Sequence, residues 1–109
     1  MRTLKGPSEI DTLFRSGRRG SNDLVLVLSM RTPERRGPEG RVVFVAGKKL
    51  GGAVTRNRCK RVLRETVRGC GGPWDGFDVA IVARASTATA SPAALDAALR
   101  NALASSRVI

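Results

Sequence analysis

The apolar residues of this 109-residue chain follow a helical period in some segments and a strand pattern in others, and the changes mark its elements. Ile10, Leu13 and Phe14 recur at helical spacing, and Gly17 is a typical residue at a helix C-terminus. Residues 24–30 form an aliphatic run of strand length. The first part of the chain is therefore predicted to fold as a short helix followed by a buried strand.

Turn residues divide the next part of the chain. Residues 31–40 contain two Pro and two Gly and predict a loop, and residues 41–46 have the composition of a second strand. This order predicts an antiparallel hairpin, to which residues 18–21 would add a short edge strand. Ser8 and Asp11 resemble a capping box, with Asp in place of the usual Glu, and would begin the first helix.

The last third of the chain repeats the alternation of strand and helix. Residues 77–83 predict the last strand. Ser91 and Pro92 are typical of a helix start, and the helix that follows carries three leucines on one face, Leu95, Leu99 and Leu103. The chain contains no internal repeat, and its length fits one small domain over residues 1–109.

Between the last two strands, residues 53–68 predict a helix with two different faces. At about 100° per residue, the apolar stripe consists of Cys59, Val62, Leu63, Thr66, Val67 and Cys70. The opposite face gathers Asn57, Lys60, Arg61, Arg64 and Arg68. Thr55 is the expected N-cap. One face can pack on a core, whereas the other presents cations at one-turn spacing, which suits the phosphates of a polyanion.

The charge of the whole chain supports a polyanion partner. Twenty Lys and Arg against nine Asp and Glu give a formal net charge of +11, and eight of the basic residues lie between Lys48 and Arg68. An anionic partner offsets the self-repulsion of such a domain. A membrane surface is the rival partner, but the apolar face of the helix lacks the Trp and Phe that interfacial helices favour. Glu65, at i, i+4 from Arg61, could either orient that guanidinium or neutralise part of the basic face.

Several function classes are disfavoured by composition. No apolar run approaches the ~20 residues of a membrane span, and the N-terminus has no signal peptide, so a cytoplasmic protein is expected. Cys59 and Cys70 would lie about 16 Å apart along one helix, which excludes a disulfide there. With no His and no cluster of carboxylates, the polypeptide is predicted to be a poor catalyst with no metal site and no small-molecule substrate.

Residues 48–65, KKLGGAVTRNRCKRVLRE, resemble the signature of the bacterial ribonuclease P protein component, which is built on an Arg-Asn-Arg helix. FRSG at residues 14–17, RVVFV at 41–45 and FDVAIVAR at 77–84 agree with the flanking segments of that family, in order. A lone Arg-Asn-Arg would be weak evidence, whereas about a dozen identities within one signature and matched flanks are specific.

The resemblance implies an α+β fold with the element order α-β-β-β-α-β-α. In that family a two-layer sandwich is built on a four-stranded sheet, a fold shared with the second domain of a small-subunit ribosomal protein. The β-α-β crossover through the basic helix is left-handed there, contrary to the usual right-handed rule. The handedness follows only from the resemblance.

The resemblance also implies a function. The chain would be the non-catalytic protein subunit of an endoribonuclease that removes the 5′ leader of precursor tRNA, with hydrolysis performed by the RNA subunit and its Mg²⁺. The expected partners are the ribonuclease P RNA subunit and precursor tRNA. A general basic RNA-binding or ribosome-associated protein is the alternative, and it would share the charge without promoting leader cleavage.

Site residues follow from the match to the signature. The residues expected to contact RNA are Lys48, Lys49, Arg56, Asn57, Arg58, Lys60, Arg61, Arg64 and Arg68. Arginine forks suit phosphate groups. Asn57 could instead cap the first turn of the helix. Gly51 and Gly52 could let the backbone approach phosphate or serve only the geometry of a turn.

In the family, the substrate leader crosses a cleft between the first helix and the sheet, on aromatic side chains. The matching positions here are Ile10, Phe14 and Leu28, of which only Phe14 is aromatic. Base stacking is therefore expected to be weaker than in relatives. Phe44 and Phe77 are expected to be core residues, because each lies among Val and Ile in a strand.

Overall fold

The computed structural model describes residues 7–32 and 39–109. Within these ranges the elements follow one another as α1 (Pro7–Ser16), β1 (Arg18–Ser21), β2 (Val25–Arg31), β3 (Arg41–Val45), α2 (Ala53–Gly69), β4 (Phe77–Ala83) and α3 (Pro92–Ser105). A 3₁₀ turn at Lys48–Leu50 precedes α2. This order confirms the predicted α+β fold. Part of the predicted loop at 31–40, residues 33–38, lies outside the described ranges.

The four strands form one sheet in the order β1-β2-β4-β3. β1 and β4 are antiparallel to β2, whereas β3 and β4 are parallel. The predicted hairpin of β2 with β3 is wrong, because β4 lies between them. β4 takes the centre because both of its faces carry apolar residues, with Val79 and Ile81 on one and Ala80 and Val82 on the other.

α2 connects the parallel strands β3 and β4, so it is the crossover helix that the resemblance implied. β3 ends at Val45 and the chain enters α2 from that end of the sheet. α2 then returns along the sheet, and the chain re-enters it at Phe77. The left hand of this crossover stays a prediction.

The sheet separates two apolar clusters. α2 and α3 cover one face, where the main core contains buried residues of both helices such as Leu63, Val67, Leu99 and Leu103. α1 covers part of the other face through a smaller cluster of Leu13, Leu28, Val43 and Ala80. The large core and the sheet make the two layers, and α1 lies on the outer side of the sheet.

An ion-pair network fixes α1 over the sheet. The Arg41 guanidinium lies 3.0 Å from the Glu9 carboxylate of α1 and 3.3 Å from the Asp78 carboxylate of β4. Asp78 is 3% exposed and also accepts a hydrogen bond from the Thr32 hydroxyl at 3.2 Å. Because the network sits at the Arg41 end of the sheet, α1 covers that end and the middle, and the opposite end is less covered.

The three helices begin in different ways. Ser91 caps α3 as predicted, since its Oγ accepts a hydrogen bond from the Ala94 N–H at 3.1 Å. The predicted Thr55 cap is wrong: α2 begins at Ala53, after an extended Gly52 with no side-chain cap. The predicted capping box at Ser8 is also wrong, because α1 already includes Pro7, a residue suited to a first helical turn.

Candidate nucleic-acid interface

The inner face of α2 is the apolar stripe expected from the sequence. Cys59, Leu63 and Val67 are buried against the sheet, and Val62, Thr66 and Cys70 are half-buried beside them. Both cysteines are free thiols, as predicted. This packing fixes the rotation of the helix and turns its opposite side outward.

The outer face carries most of the predicted RNA-binding residues. The exposed ones are Lys48, Lys49, Asn57, Arg58, Arg61, Arg64 and Arg68, and Lys60 is half-buried. In the described ranges, the acidic side chains that form ion pairs within 4.0 Å do so with Arg41 and Arg100, not with these cations. Their charge is therefore directed to solvent, where a phosphate backbone can meet it.

Arg56 does not share this arrangement. Its side chain is half-buried, and its Nε is buried without a hydrogen-bond partner among the described residues. Its helical position lies toward the core stripe rather than the exposed face. Asn57, by contrast, is exposed and free of the capping role, because Gly52 is the N-cap of α2.

Two arginines lie over the phenylalanines that were expected in the core. The guanidinium carbon of Arg64 is 5.3 Å from the centroid of the Phe44 ring, and that of Arg31 is 6.0 Å from the Phe77 ring. Both rings are half-buried and pack against the main core. Each phenylalanine therefore has one side in the core and one ring face available to a cation.

The predicted leader residues differ in accessibility. Phe14 is 38% exposed and Ile10 is half-buried, so both reach the surface of α1. Leu28 is completely buried in the small cluster with Leu13. A base cannot reach Leu28 unless α1 moves, because α1 covers the middle of this sheet face.

A neighbouring row on the same face of the sheet is more accessible than Leu28. Leu26 pairs with Val82, Val82 pairs with Val45, and all three side chains are half-buried on the α1 side of the sheet. Strand alternation already places Leu26 on the same face as Leu28. The strand order, which the sequence does not reveal, brings the three residues together in one row. α1 covers this row less than it covers the row of Leu28.

The open row and the start of α2 lie at the same end of the sheet. β3 leaves the row at Val45 and leads directly to Lys48, Lys49 and the start of α2. Arg84 follows β4 at the same end, half-buried, with its Nε lacking a hydrogen-bond partner among the described residues. Sequence reasoning missed Arg84 as a candidate contact, although it closes the family-like segment at residues 77–84.

Neither a metal cluster nor a membrane-spanning helix occurs among the described residues. Across residues 7–32 and 39–109, His, Cys, Asp and Glu side chains form no group of three or more that could hold a metal ion. Within those ranges, every helix is too short or too polar to cross a bilayer.

Comparison with known protein families shows which family this chain belongs to. The family model for ribonuclease P matches residues 1–107. The chain belongs to the ribonuclease P protein family. A ribonuclease P protein component of Dehalococcoides mccartyi is 41% identical over 69 residues, which are 63% of this chain and 57% of that protein. One of Bacillus cereus is 33% identical over 82 residues, 74% of this chain and 70% of that protein.

Solved ribonuclease P proteins share the fold. The protein of Staphylococcus aureus superimposes with a TM-score of 0.82 at 21% identity, covering 99% of this chain and 97% of the other. The protein of Thermotoga maritima gives a TM-score of 0.76 at 24% identity, with 93% and 94% covered. The match to the Dehalococcoides relative spans little more than half of that relative's length.

Proposed function

We propose that this chain is the protein subunit of ribonuclease P and binds both the RNA subunit and the 5′ leader of precursor tRNA. One observation carries the proposal: the open row of Leu26, Val45 and Val82 lies at the end of the sheet where the chain passes through Lys48 and Lys49 into the basic helix α2. A helix of unpaired cations suits a structured phosphate backbone. A half-buried apolar row on the sheet face that carries α1, together with the exposed Phe14 ring of α1, suits a single strand.

The division of labour follows from the two surfaces. α2 takes phosphates of the RNA subunit through guanidinium forks such as those of Arg61 and Arg68. The leader lies between α1 and the open row, where Phe14 stacks on a base and Arg84 meets a phosphate. Bases stacked on one ring and aliphatic side chains give affinity with little sequence discrimination.

In this proposal the polypeptide contributes charge and position rather than catalytic groups. Hydrolysis belongs to the RNA subunit and its Mg²⁺, and the reaction takes place in the cytoplasm. The cations of α2 screen phosphates that would otherwise need additional Mg²⁺. The protein therefore lowers the Mg²⁺ concentration at which the RNA subunit cleaves.

Reconstitution with a bacterial ribonuclease P RNA tests the proposal. Leader removal from precursor tRNA is measured over a series of Mg²⁺ concentrations, with RNA alone, with chain alone and with both together. The expected result is cleavage by the mixture at Mg²⁺ concentrations where the RNA alone is inactive, and none by the chain alone. A chain that binds RNA without any stimulation would be a general RNA-binding protein instead.

A further inference from the structure

A cavity of about 420 Å³ lies between α2 and the first turns of α3, beside the basic face. It is lined by side chains of α2, of α3 and of the segment that joins β4 to α3, among them Arg58, Val62, Glu65, Ala88, Ala90 and Asp96. Its volume falls within the roughly 300–1,000 Å³ typical of small-molecule sites, so one nucleobase can enter it.

Glu65 is the unusual member of this lining. It is the only acidic residue between Lys48 and Arg68, and it is exposed. It does not pair with Arg61, one of the two roles considered for it, and no cation of the described ranges forms an ion pair with Glu65 within 4.0 Å. A carboxylate on a phosphate-binding helix repels phosphate. Its two oxygens are, however, open acceptors for N–H groups at the mouth of the cavity.

The α3 wall of the cavity is held in place by a side-chain network. Arg100 donates from Nε to the Asp96 carboxylate at 2.9 Å and from Nη2 to the Gly69 carbonyl at 3.1 Å. The Cys70 thiol donates to the other Asp96 oxygen at 3.4 Å. Because each Asp96 oxygen already accepts a hydrogen bond, the start of α3 is tied to the end of α2. Of the two carboxylates that line the cavity, Glu65 is the one that accepts no side-chain hydrogen bond from the described residues.

The chemistry of the lining selects among ligands. Two carboxylates, Glu65 and Asp96, disfavour a phosphate inside the cavity. Arg58, together with Arg100 on Asp96, disfavours a free cation. Val62, Ala88 and Ala90 supply apolar walls, which suit the flat faces of an unstacked base. The remaining match is a neutral ring with N–H donors at its edge and a phosphate outside, near Arg58.

We propose that this cavity binds one unpaired guanine of the bound RNA, with Glu65 accepting hydrogen bonds from its N1–H and N2–H groups. The inference rests on the proposed function, which supplies the RNA. Guanine presents two adjacent donors to the two oxygens of a carboxylate, whereas adenine and cytosine each place one amine next to an acceptor. The guanine can come from the RNA subunit or from precursor tRNA.

The test combines an RNA analogue with a protein variant. Inosine lacks the guanine N2 amine, so partial inosine substitution removes one of the two proposed hydrogen bonds. Ribonuclease P RNA and precursor tRNA, each carrying scattered inosines, are selected separately for binding by wild type and by Glu65→Gln. Inosine at one unpaired position of one of the two RNAs should weaken wild-type binding by roughly tenfold, in keeping with the loss of a bidentate base contact. The effect should disappear with Glu65→Gln, and the RNA that shows it identifies the source.

Asp75→Asn is the matched control, since Asp75 is also exposed and the charge change is the same. Neutralising an acid on a basic protein strengthens RNA binding in general, so Asp75→Asn should bind slightly more tightly, whereas Glu65→Gln should bind more weakly. Ala90→Leu, which fills the cavity without altering charge, should reproduce the loss. If Glu65→Gln binds more tightly, or no inosine position depends on Glu65, the guanine site is wrong.

A titration without RNA separates this inference from the proposed function. Guanosine monophosphate should shift the amide resonances of Ala88 and Ala90, and adenosine monophosphate should do so at least tenfold more weakly. If wild type binds neither ribonuclease P RNA nor precursor tRNA, the proposed function fails. The nucleotide titration then decides by itself whether the cavity binds guanine. Equal shifts by both nucleotides would overturn the guanine assignment.

Discussion

Arg64 of α2 rests on the ring of Phe44 of β3, with 5.3 Å between the guanidinium carbon and the ring centroid. A guanidinium stacked on a ring keeps the N–H donors at its edge free for phosphate. The contact also restricts the side chain before RNA arrives, so less conformational entropy is lost on binding. Phe44 therefore positions a cation of the proposed RNA-binding surface.

Replacing the Phe44 ring should show how much the position of the Arg64 guanidinium contributes to RNA binding, apart from its charge. We expect Phe44→Leu to weaken RNA binding about threefold, the size of one exposed cation–π contact, with an unchanged dependence on salt because no cation is lost. Phe44→Tyr should restore the affinity. Phe77→Leu is the control, since the Phe77 ring lies under Arg31 of β2 and not under a cation of α2. A shallower salt dependence in Phe44→Leu would mean that Arg64 no longer reaches the RNA.

The two faces of α2 should respond differently to substitution. Arg61→Ala with Arg64→Ala should reduce affinity for RNA and lower the salt dependence by about one phosphate contact per side chain, with the melting temperature nearly unchanged. Leu63→Ala, at a completely buried position, should instead cost roughly 2–5 kcal/mol of unfolding free energy. Equal thermal destabilisation by the arginine changes would contradict the assignment of the faces.

Phe14, which is exposed, is a better candidate for stacking on a leader base than Leu28, which is completely buried. Phe14→Ala should reduce the gain in holoenzyme affinity that a longer leader gives, by ~1–3 kcal/mol, and Ile10→Phe should increase it within the same range. Precursor tRNAs with leaders of stepped length provide the measurement. Val54→Ala removes an apolar side chain that is 85% exposed on α2, and it should leave the increment unchanged. If neither substitution in α1 alters the gain in affinity with leader length, the leader does not contact Phe14 or Ile10.

The thiol between α2 and α3 should affect stability at high pH. Burial, then the hydrogen bond to Asp96, raise the pKa of the Cys70 thiol from 9.0 to about 11. Below pH 9 both folded and unfolded chains keep this proton. As the pH rises from about 9 to about 11, the unfolded chain loses the proton first, so this contribution to stability is lost.

Denaturant unfolding of wild type and of Cys70→Ala between pH 8 and pH 11 checks this expectation. The stability difference between the two proteins should change progressively in favour of the variant above pH 9. Cys70→Ser, which keeps a hydroxyl donor that does not ionise in this range, should also lack the change. A difference that is independent of pH would contradict the assignment.

Local sequence patterns were sufficient to predict several helices and strands. β1 and β4 have the bounds predicted from the sequence, and α3 begins at the predicted Ser91 cap. The rotation of α2 also followed from its own sequence, because Leu63 and Val67 leave only one side that can face a core. In each of these cases the deciding contacts are made within a few residues of the chain.

Long-range pairing decided what the sequence could not. β2 and β3 were expected to pair, yet each pairs with β4, which comes more than thirty residues after β3 begins. The same strand order determines which row of the sheet α1 covers. It buries Leu28, which the resemblance placed in the cleft, and leaves Leu26 and Val82 nearer the surface.

The central place of β4 has a consequence for the order in which the protein can form during synthesis. β2 and β3 are made first, but their facing edges stay unpaired until residues 77–83 emerge from the ribosome. α2 is made before its docking surface is complete, because part of that surface is β4. The basic helix therefore acquires its final orientation only when the last strand closes the sheet, so a nascent chain that stops short of β4 lacks the surface proposed to bind RNA.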